Sequence, residues 1–210
     1  MTDWATVASA ATAVGTLVLA AATFSAVRSS QRAAQATERG LLAGIRPLLV
    51  PSRLDDPEQK IGFIDDHWVH VAGGRASAEF TDDAIYLAVS LRNVGNGLAV
   101  LDRWHLIPDR VGDDPAGTAL ADFHRLTRDL YVGAGDIGFW QGAIREREDP
   151  LFDLAREAIE SRRPFSVDVL YGDHEGGQRT ITRIAFLPGR DEKWLASGSR
   201  HWYLDRPSPR

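Results

Sequence analysis

The chain begins with a long apolar segment, WATVASAATAVGTLVLAAATFSAV at residues 4–27, which contains no charged residue. A helix needs about 20 residues to cross the hydrocarbon layer of a bilayer, and this segment is longer. Trp4 and Arg28 stand at its two ends and suit the two membrane interfaces. Because Ala, Thr, Ser and Gly dominate the segment, a helix of a soluble protein is the alternative. We predict a transmembrane anchor.

Flanking charges predict the orientation of this anchor. The first residues, MTD, carry no positive charge, whereas Arg28, Arg32 and Arg39 follow the apolar segment. A cleaved signal peptide would have the opposite arrangement. The positive-inside rule therefore predicts a single-pass protein of the cell membrane, with three residues and the N-terminus outside and the C-terminal domain in the cytoplasm.

A polar, helix-forming stretch, SSQRAAQATERGLLAGIRP, follows Arg28 and predicts that the helix continues to Gly40 or Gly44. Pro47 disfavours helical geometry at Arg46, which marks the boundary. Small residues at four-residue spacing, among them Gly15, would let two such helices approach closely, so a homo-oligomer through the anchor is a hypothesis. The predicted domains are an anchor with its juxtamembrane helix, residues 1–45, and a second domain, residues 46–210.

From Pro47 onwards the apolar residues alternate with a period of two, which predicts β-strands. IYLAVSLRNVG and FSVDVLYGD each place four apolar residues on one face: Ile85, Leu87, Val89 and Leu91, then Phe165, Val167, Val169 and Tyr171. QRTITRIAFLP follows the second strand after a Gly-Gly turn and predicts a hairpin. Further strands are predicted at residues 48–54, 98–107, 125–132, 137–143 and 200–204. Six to eight short strands with turns between them indicate an antiparallel β-sandwich.

One short helix is predicted near residues 150–162, in DPLFDLAREAIESRR, with Asp149 as its cap and Pro150 in its first turn. Its predicted apolar stripe is Leu151, Leu154, Ala155, Ala158 and Ile159. Residues 55–82 are expected to form an insertion or edge hairpin, and residues 109–122 an exposed loop.

The turn motifs of this domain resemble those of a class of bacterial proteins. "RPLLV", "LRNVGNGLA" and "VLYGDHEGGQRTIT" follow the anchor in this order, and the matching residues are Asn93, Gly95, Gly97 and Ala99, then Tyr171, Asp173, Gly176 and Gly177. The chain is similar here to membrane-anchored bacterial proteins with a cytoplasmic immunoglobulin-like β-sandwich. This resemblance implies an immunoglobulin-like architecture and no catalytic residue.

Three glycines, Gly133, Gly135 and Gly138, have the G-x-G-x-x-G spacing of a dinucleotide-binding turn. Such a turn leaves a parallel strand and opens directly into a helix. Here FWQGA follows, which is aromatic and poorly helical. We therefore interpret the motif as a bend between two strands and predict no cofactor.

Composition narrows the chemistry further. The formal net charge of −5 argues against nucleic acid, and the absence of Cys removes disulfides and thiolate chemistry. Two acidic and histidine clusters, Asp65 to His70 in IDDHWVHV and Asp173-His174-Glu175 in a turn, are possible metal ligands. His67 and His70 would point to opposite faces of a strand, so we predict no metal site. No catalytic motif is present, and we predict no catalytic residue.

These observations predict a membrane-tethered, non-enzymatic interaction or scaffolding module with a protein partner at the inner face of the membrane. Its tentative binding surface comprises Asp173, His174, Glu175 and Trp68, because an exposed Trp typifies binding surfaces. A ligand-sensing domain coupled to the anchor is the alternative, and a concave pocket with Trp and Arg would favour it. A metal-dependent enzyme built on the Asp and His clusters is the third hypothesis.

Overall fold

A long helix and a β-rich body make up the chain. The computed structural model describes residues 3–108, 119–191 and 193–205. The chain divides into two compact units, Met1–Gly44 and Ile45–Arg210. The first unit is one helix, α1 (Trp4–Gly44), about 60 Å long at 1.5 Å per residue. It ends at Gly44, the second of the two predicted ends.

Two predictions concern residues that the structure does not describe. The first is the interfacial position of the Trp4 side chain, and the second is most of the exposed loop at residues 109–122. At the end of that range, Leu120–Asp122 forms a single turn of 3-10 helix.

The second unit contains eleven strands within the described residues. Their bounds are β1 Leu49–Pro51, β2 Gln59–Gly62, β3 Trp68–Val71, β4 Arg75–Phe80, β5 Ile85–Asn93, β6 Ala99–Ile107, β7 His124–Val132, β8 Ile137–Ile144, β9 Phe165–Gly172, β10 Arg179–Pro188 and β11 Trp194–Tyr203. A short helix, α2 (Phe152–Glu160), connects β8 to β9. Nine strands form one sheet. Eight of them follow the order β1-β5-β4-β11-β10-β9-β6-β7, and the ninth, β8, also pairs with β5. Every pair in it is antiparallel.

The sheet curls so that strands from its two ends share one core. Trp104 on β6 and Trp140 on β8 belong to opposite ends of the strand order, yet their rings meet edge to face with centroids 5.4 Å apart. The predicted inward faces of β5 and β9 all lie in this core cluster. Strands at the two ends of a sheet can direct their side chains into the same core only if the sheet curves. The prediction of a mainly β domain after a long N-terminal helix is confirmed.

Residues 55–82 contribute more to the body than the predicted edge hairpin. β2 and β3 do form a hairpin, and it covers the outer face of β5, where Tyr86 and Ala88 are buried against Ile61 and Val69. The same range also contains β4, which pairs with β5 and β11 inside the main sheet. The prediction of an insertion was therefore wrong for β4, since the short sequence RASAEF has little apolar alternation.

α2 packs on the core largely through the predicted stripe, since Ala155, Ala158 and Ile159 are buried and Leu151 packs against the core. The predicted cap was wrong: the N-cap residue is Leu151, which makes no side-chain cap hydrogen bond, and Asp149 Oδ1 accepts from the Leu151 amide at 2.8 Å in the turn before the helix. The helix begins at Phe152, which is buried together with Ala155 and Ile159. Leu154 is exposed, so its place in the stripe was wrong; the buried positions are i, i+3, i+6 and i+7 from Phe152.

The side chain of Asn93 connects the loop after β5 to two other segments. Its Oδ1 accepts hydrogen bonds from the amides of Leu48 and Gly95 at 3.1 and 3.0 Å. Its Nδ2 donates to the carbonyls of Gly97 and Val132 at 2.7 and 3.0 Å. An amide side chain can accept two such bonds and donate two, so the Asn93 side chain makes all the hydrogen bonds that it can.

Glycines let this loop lie against the start of the body. A Cβ atom on Gly95 would lie 2.3 Å from the Arg46 carbonyl oxygen, and one on Gly97 would lie 1.8 Å from that of Ile45. Only residues without a side chain fit here. The N-V-G-N-G turn joins β5 to β6 without a positive φ at any of its residues, so its glycines serve close approach of the backbone.

We expect Asn93→Ala to lower the free energy of unfolding by about 3 kcal/mol or more, because it leaves several buried amides and carbonyls without partners. Urea unfolding of the full chain in mild detergent, followed by tryptophan fluorescence, measures the change. Asn96→Ala is the matched control, since Asn96 is exposed in the same loop. Equal unfolding midpoints for the two variants would contradict this role of Asn93.

Candidate binding surfaces

The three glycines of the G-x-G-x-x-G motif lie at the connection between β7 and β8. Gly135 adopts a positive φ of 76°, and the Asp136 amide donates back to the Gly133 carbonyl at 3.1 Å. The turn is tied to the body by Asn93, whose carbonyl accepts from the Gly135 amide at 3.0 Å. The motif continues into strand β8 and not into a helix, so it lacks the helix N-terminus on which a pyrophosphate would bind. The interpretation as a strand connection is confirmed.

The residues of the IDDHWVHV cluster turn to separate partners. Asp65 accepts hydrogen bonds from Tyr86 Oη at 2.7 Å and Arg145 Nε at 3.0 Å. His67 contacts Glu79 at 3.1 Å, and its ring stacks on Tyr86. His70, on β3, contacts Glu58 at 2.8 Å. The two histidines therefore contact different glutamates, Glu79 on β4 and Glu58 just before β2.

Ser77, Glu79 and His67 form a chain of contacts that resembles a hydrolase triad in composition only. Ser77 Oγ donates to Glu79 Oε1 at 2.9 Å, and Glu79 Oε2 contacts His67 Nε2 at 3.1 Å. In a working triad the imidazole lies between the hydroxyl and the carboxylate, where it can take the hydroxyl proton. Here the carboxylate lies in the middle, so the imidazole cannot act as the base for Ser77.

No group of three or more His, Asp or Glu side chains in the described ranges is placed to hold a metal ion. Asp65, His67, His70 and the Asp173 turn all belong to those ranges. The convergence that a metal-dependent enzyme would require does not occur among these residues.

Asp173 lies beneath the β9–β10 turn and not on the surface. It is 4% exposed, and its Oδ1 accepts from the amides of Gly177 and Gln178 at 2.9 and 3.2 Å. Its Oδ2 is buried with no hydrogen-bond partner among the described residues. His174 and Glu175 are exposed at the tip of the same turn.

A cleft of about 510 Å³ opens beside this turn, between β6, β7 and β9, and is called the β6–β9 cleft below. Its charged lining residues are three carboxylates and two guanidinium groups: Asp102, Asp129, Asp173, Arg103 and Arg179. Asp102 Oδ2 lies 3.7 Å from Arg103 Nε and 3.5 Å from an Arg179 nitrogen, which are long separations for ion pairs.

The β6–β9 cleft was not predicted, although the sequence holds a sign of it. In β6 the buried residues change from odd to even positions, from Ala99 and Leu101 to Trp104 and Leu106. This change of phase is the pattern of a β-bulge, and the register of β6 with both neighbours shifts between Leu101 and Arg103. Asp102 occupies the bulge and lines the cleft.

Tyr171 lies at the base of the cleft and is held by a buried polar chain. Its hydroxyl accepts from the Leu49 amide at 3.1 Å and contacts Thr182 Oγ1 at 2.9 Å, which in turn contacts His201 Nδ1 at 2.7 Å. Burial raises the pKa of Tyr171 to about 12, so the phenol stays protonated. Burial also lowers the pKa of His201 below its ordinary value, so its imidazole is held neutral.

A second cleft, of about 310 Å³, lies between α2, β4 and the start of β11, and is called the α2 cleft below. Its basic residues are Arg75, Arg162 and Lys193, and its acidic residues are Glu58 and Glu79. The Arg162 guanidinium lies 5.0 Å from the ring centroid of Trp194, which is also a lining residue. Both signs of charge are present, so the cleft has no strong preference for one charge.

The five Trp residues of the body divide sharply by exposure. Trp104, Trp140, Trp194 and Trp202 are buried, whereas Trp68 on β3 is 54% exposed. Its ring packs on the backbone of Gly62 across the hairpin, and Lys60 Nζ lies 4.8 Å from the ring centroid. Ile64, in the turn of the same hairpin, is also exposed. The hairpin tip therefore presents an apolar surface with one cation beside it.

We expect protonation of His201 to destabilise the fold. Because its folded pKa lies below 6.5, the unfolded chain binds this proton more readily. The stability that neutral His201 provides is therefore complete well above pH 6.5 and is lost as the pH falls through that value. Between pH 7.5 and 5.5 the urea midpoint should fall less in His201→Gln than in the wild type.

His174→Gln serves as the control for this comparison, since His174 is exposed at the β9–β10 turn. It should show the same fall as the wild type. A fall in His201→Gln as large as in the wild type would refute the assignment.

Comparisons with known proteins add little to this geometry. No family model matches the chain, and no curated protein matches it. One solved structure, described as a crystal structure of a protein from Archaeoglobus fulgidus, has 13% identity over 63% of this chain and 96% of its own, with a TM-score of 0.26. At that TM-score the likeness supports no inference about fold or function.

Proposed function

We propose that this protein is a membrane-tethered, non-enzymatic interaction module whose β-rich body binds a protein partner at the inner face of the cell membrane. The observation that carries the proposal is α1, which exposes its apolar side chains on every side. The predicted resemblance to bacterial membrane-anchored proteins with an immunoglobulin-like sandwich is part of this proposal.

α1 has no charged face over the apolar segment. The part Ala11–Gly44 is long and apolar enough to cross a membrane, and none of its apolar window is buried within the chain. Large apolar side chains project at 100° per residue around the whole circumference: Val14, Leu17, Val18, Leu19, Phe24 and Val27. A helix that is apolar all round requires a surrounding apolar medium, and lipid supplies one.

The hydroxyl groups of this segment do not oppose insertion. Thr12, Thr16 and Thr23 donate to the carbonyl four residues earlier at 2.9, 2.9 and 2.8 Å. Ser25 donates to the Ala22 carbonyl at 2.8 Å. Polar groups in hydrocarbon need such internal partners, so these contacts reduce the free energy of insertion.

The orientation follows from the charges that flank the segment. Arg28, Arg32 and Arg39 lie on its C-terminal side, which favours a cytoplasmic body by the positive-inside rule. Close approach of two anchors at Gly15 would add self-association, since a Cβ there would meet nothing within the chain.

The body supports a binding role through its exposed hairpin tip. An exposed Trp beside an exposed Ile and a Lys has the composition of a protein-binding surface, in which aromatic residues provide the main contacts. Trp68, from the sequence-based binding surface, is therefore retained, with His174 and Glu175 as exposed residues on another turn. Asp173, which is buried, holds that turn in place through its hydrogen bonds to the amides of Gly177 and Gln178.

Ligand sensing is the second candidate, and the α2 cleft favours it. Trp194, Arg75 and Arg162 line this cleft. A concave pocket with Trp and Arg is the feature expected from the sequence to favour ligand sensing. Its volume of about 310 Å³ suits a small molecule. A body that binds such a molecule could still be tethered by the same anchor.

We expect the full chain to sediment with membranes and to resist extraction by alkaline carbonate. Leu17→Arg should move a large share into the soluble or aggregated fraction, since an Arg near the middle of a span opposes insertion by about 2.5–3.5 kcal/mol. Gln31→Arg is the matched control, because it adds the same charge to the same helix outside the apolar segment. Recovery of the wild-type chain in the soluble fraction would overturn the tether.

The orientation of the chain can be measured by labelling single introduced cysteines in cells, because the chain contains no Cys of its own. With a membrane-impermeant maleimide, Asp3→Cys should label in intact cells, and Asp153→Cys only after lysis. The reverse pattern would place the body outside.

We expect a photoreactive aromatic amino acid in place of Trp68 to give a discrete crosslinked product in native membranes. The matched control is the same substitution at Tyr131, another exposed aromatic residue, on β7. Mass spectrometry identifies the product. Identical products at both positions, or none at Trp68, would contradict the hairpin tip as the binding surface.

A further inference from the structure

Strand β4 has an open edge at the α2 cleft. On one side β4 pairs with β5 from Ala76 to Phe80. On the other side its pairing with β11 stops at the pair of Ala76 with Trp194. The chain leaves the line of β11 at Lys193, whose carbonyl accepts from the Gly189 amide at 2.8 Å across the β10–β11 turn. The part of β4 beyond Ala76 therefore has no strand partner on this side among the described residues.

The alternation of the strand shows which backbone groups point to this edge. In an antiparallel ladder the N–H and the C=O of one residue point to the same neighbour, and successive residues point to opposite neighbours. The Gly74 carbonyl accepts from the Ala196 amide of β11 at 3.2 Å, whereas the Thr81 amide donates to the Ala84 carbonyl on the β5 side at 2.8 Å. The even-numbered residues of β4 therefore point to the open edge, and Ala78 is the first of them beyond the pairing with β11.

Ala78 has both of its backbone groups directed into a recess. It is 8% exposed and lines the α2 cleft. No hydrogen bond from a described residue reaches its N–H or C=O on this side of β4. Native structures pair nearly all backbone groups that are this deeply placed, because an unpaired one is unfavourable. A second strand supplies a donor and an acceptor together, at the spacing that Ala78 requires.

The lining of the α2 cleft sets the pattern of such a strand. Ile159 on α2 and Trp194 on β11 line its inner side and belong to the same core cluster as Ala78. Glu58 and His70, from the β2–β3 hairpin and the segment just before it, line the other side. Residues that are directly opposite each other in a ladder share one face. An added strand would therefore direct an apolar side chain inward opposite Ala78 and polar side chains outward.

The recess favours a single peptide segment over a second copy of the chain. Open strand edges can associate edge to edge. Here α2 and the β2–β3 hairpin both contribute to the lining of the cleft, so the same edge of another body would lie equally deep and could not reach β4. The mixed charges of the cleft also fit recognition of a peptide backbone, which carries no net charge.

We propose that the α2 cleft binds an extended segment of a protein partner, which adds to β4 as an antiparallel strand with an apolar residue opposite Ala78. Main-chain hydrogen bonds to the β4 edge hold the segment, and Ile159 and Trp194 receive its apolar side chain. This assignment rests on the proposed function, because it names the form in which the tethered body recognises its partner. It adds a second contact to the Trp68 surface.

The experiment titrates a fluorescein-labelled peptide amide, Thr-Thr-Val-Thr-Thr, with the full chain in lipid nanodiscs and follows binding by fluorescence polarisation. We expect saturable binding. N-methylation of the valine removes the donor to the Ala78 carbonyl and should raise the dissociation constant at least about tenfold. N-methylation of the threonine before it should change the constant by less than about threefold, because that N–H points away from β4.

Ala78→Pro tests the same bonds from the side of the chain. Proline removes an N–H that takes no part in the β4–β5 ladder, and an edge strand tolerates it there. The dissociation constant should again rise at least about tenfold. Glu58→Gln is the matched control, since Glu58 lines the same cleft but lies outside β4. It should leave the constant unchanged.

The two N-methylated peptides keep the test valid on the wild-type chain if Ala78→Pro fails to fold. Three outcomes would overturn the assignment: no saturable binding of the peptide, which would leave the cleft to water or a small molecule; equal weakening by the two N-methylations; or equal weakening by Glu58→Gln and Ala78→Pro. A concentration-dependent dimer that Ala78→Pro abolishes would also overturn it, by assigning the edge to a second copy.

None of these outcomes affects carbonate resistance or crosslinking at Trp68. Failure of this inference is therefore distinguishable from failure of the tethered-module proposal.

Discussion

The four hydrogen bonds of the Asn93 side chain hold three segments of the body at one point. Leu48 lies just before β1, Gly95 and Gly97 form the loop between β5 and β6, and Val132 ends β7. The backbone of Asn93 also binds the turn before β8. A single buried amide thus sets where the chain enters the sheet and where its edge strands turn. Loss of those bonds would leave buried polar groups in each segment, which hydrophobic packing cannot compensate.

Around this point the curled sheet separates two kinds of surface. The inner faces form one apolar core with Trp104 and Trp140 at its centre. On the outer faces, the β2–β3 hairpin carries Trp68 outward, and the bulge in β6 opens the β6–β9 cleft. The proposed function uses the first of these features, because a rigid sheet presents the Trp68 side chain at a fixed position. α1, described by itself, supplies an apolar surface that lipid would cover.

The sequence predicted most of the elements, because their patterns are local. Strand alternation located β5, β9 and β10, and the span of α1 followed from composition and length. The turn after β5 was identified from its Asn and Gly residues, although Gly95 and Gly97 permit close backbone approach and do not adopt a positive φ. Errors occurred where local pattern and packing differ. β4 was missed because its small residues alternate weakly, and Leu154 was placed on the buried face because the helix was taken to start before Phe152.

By itself the sequence determined the long apolar helix, the β-rich body and the turns, since helix length, alternation and glycine conformation are properties of neighbouring residues. Only the tertiary structure decided which side chains are available for binding. Trp68 is exposed while four other Trp residues are buried, and Asp173 lies beneath its turn with one oxygen unused. Asp102, Asp129 and Asp173 come from β6, β7 and the turn after β9, far apart in the chain. Their shared cleft exists because the sheet register brings these strands together, and no local pattern specifies that register.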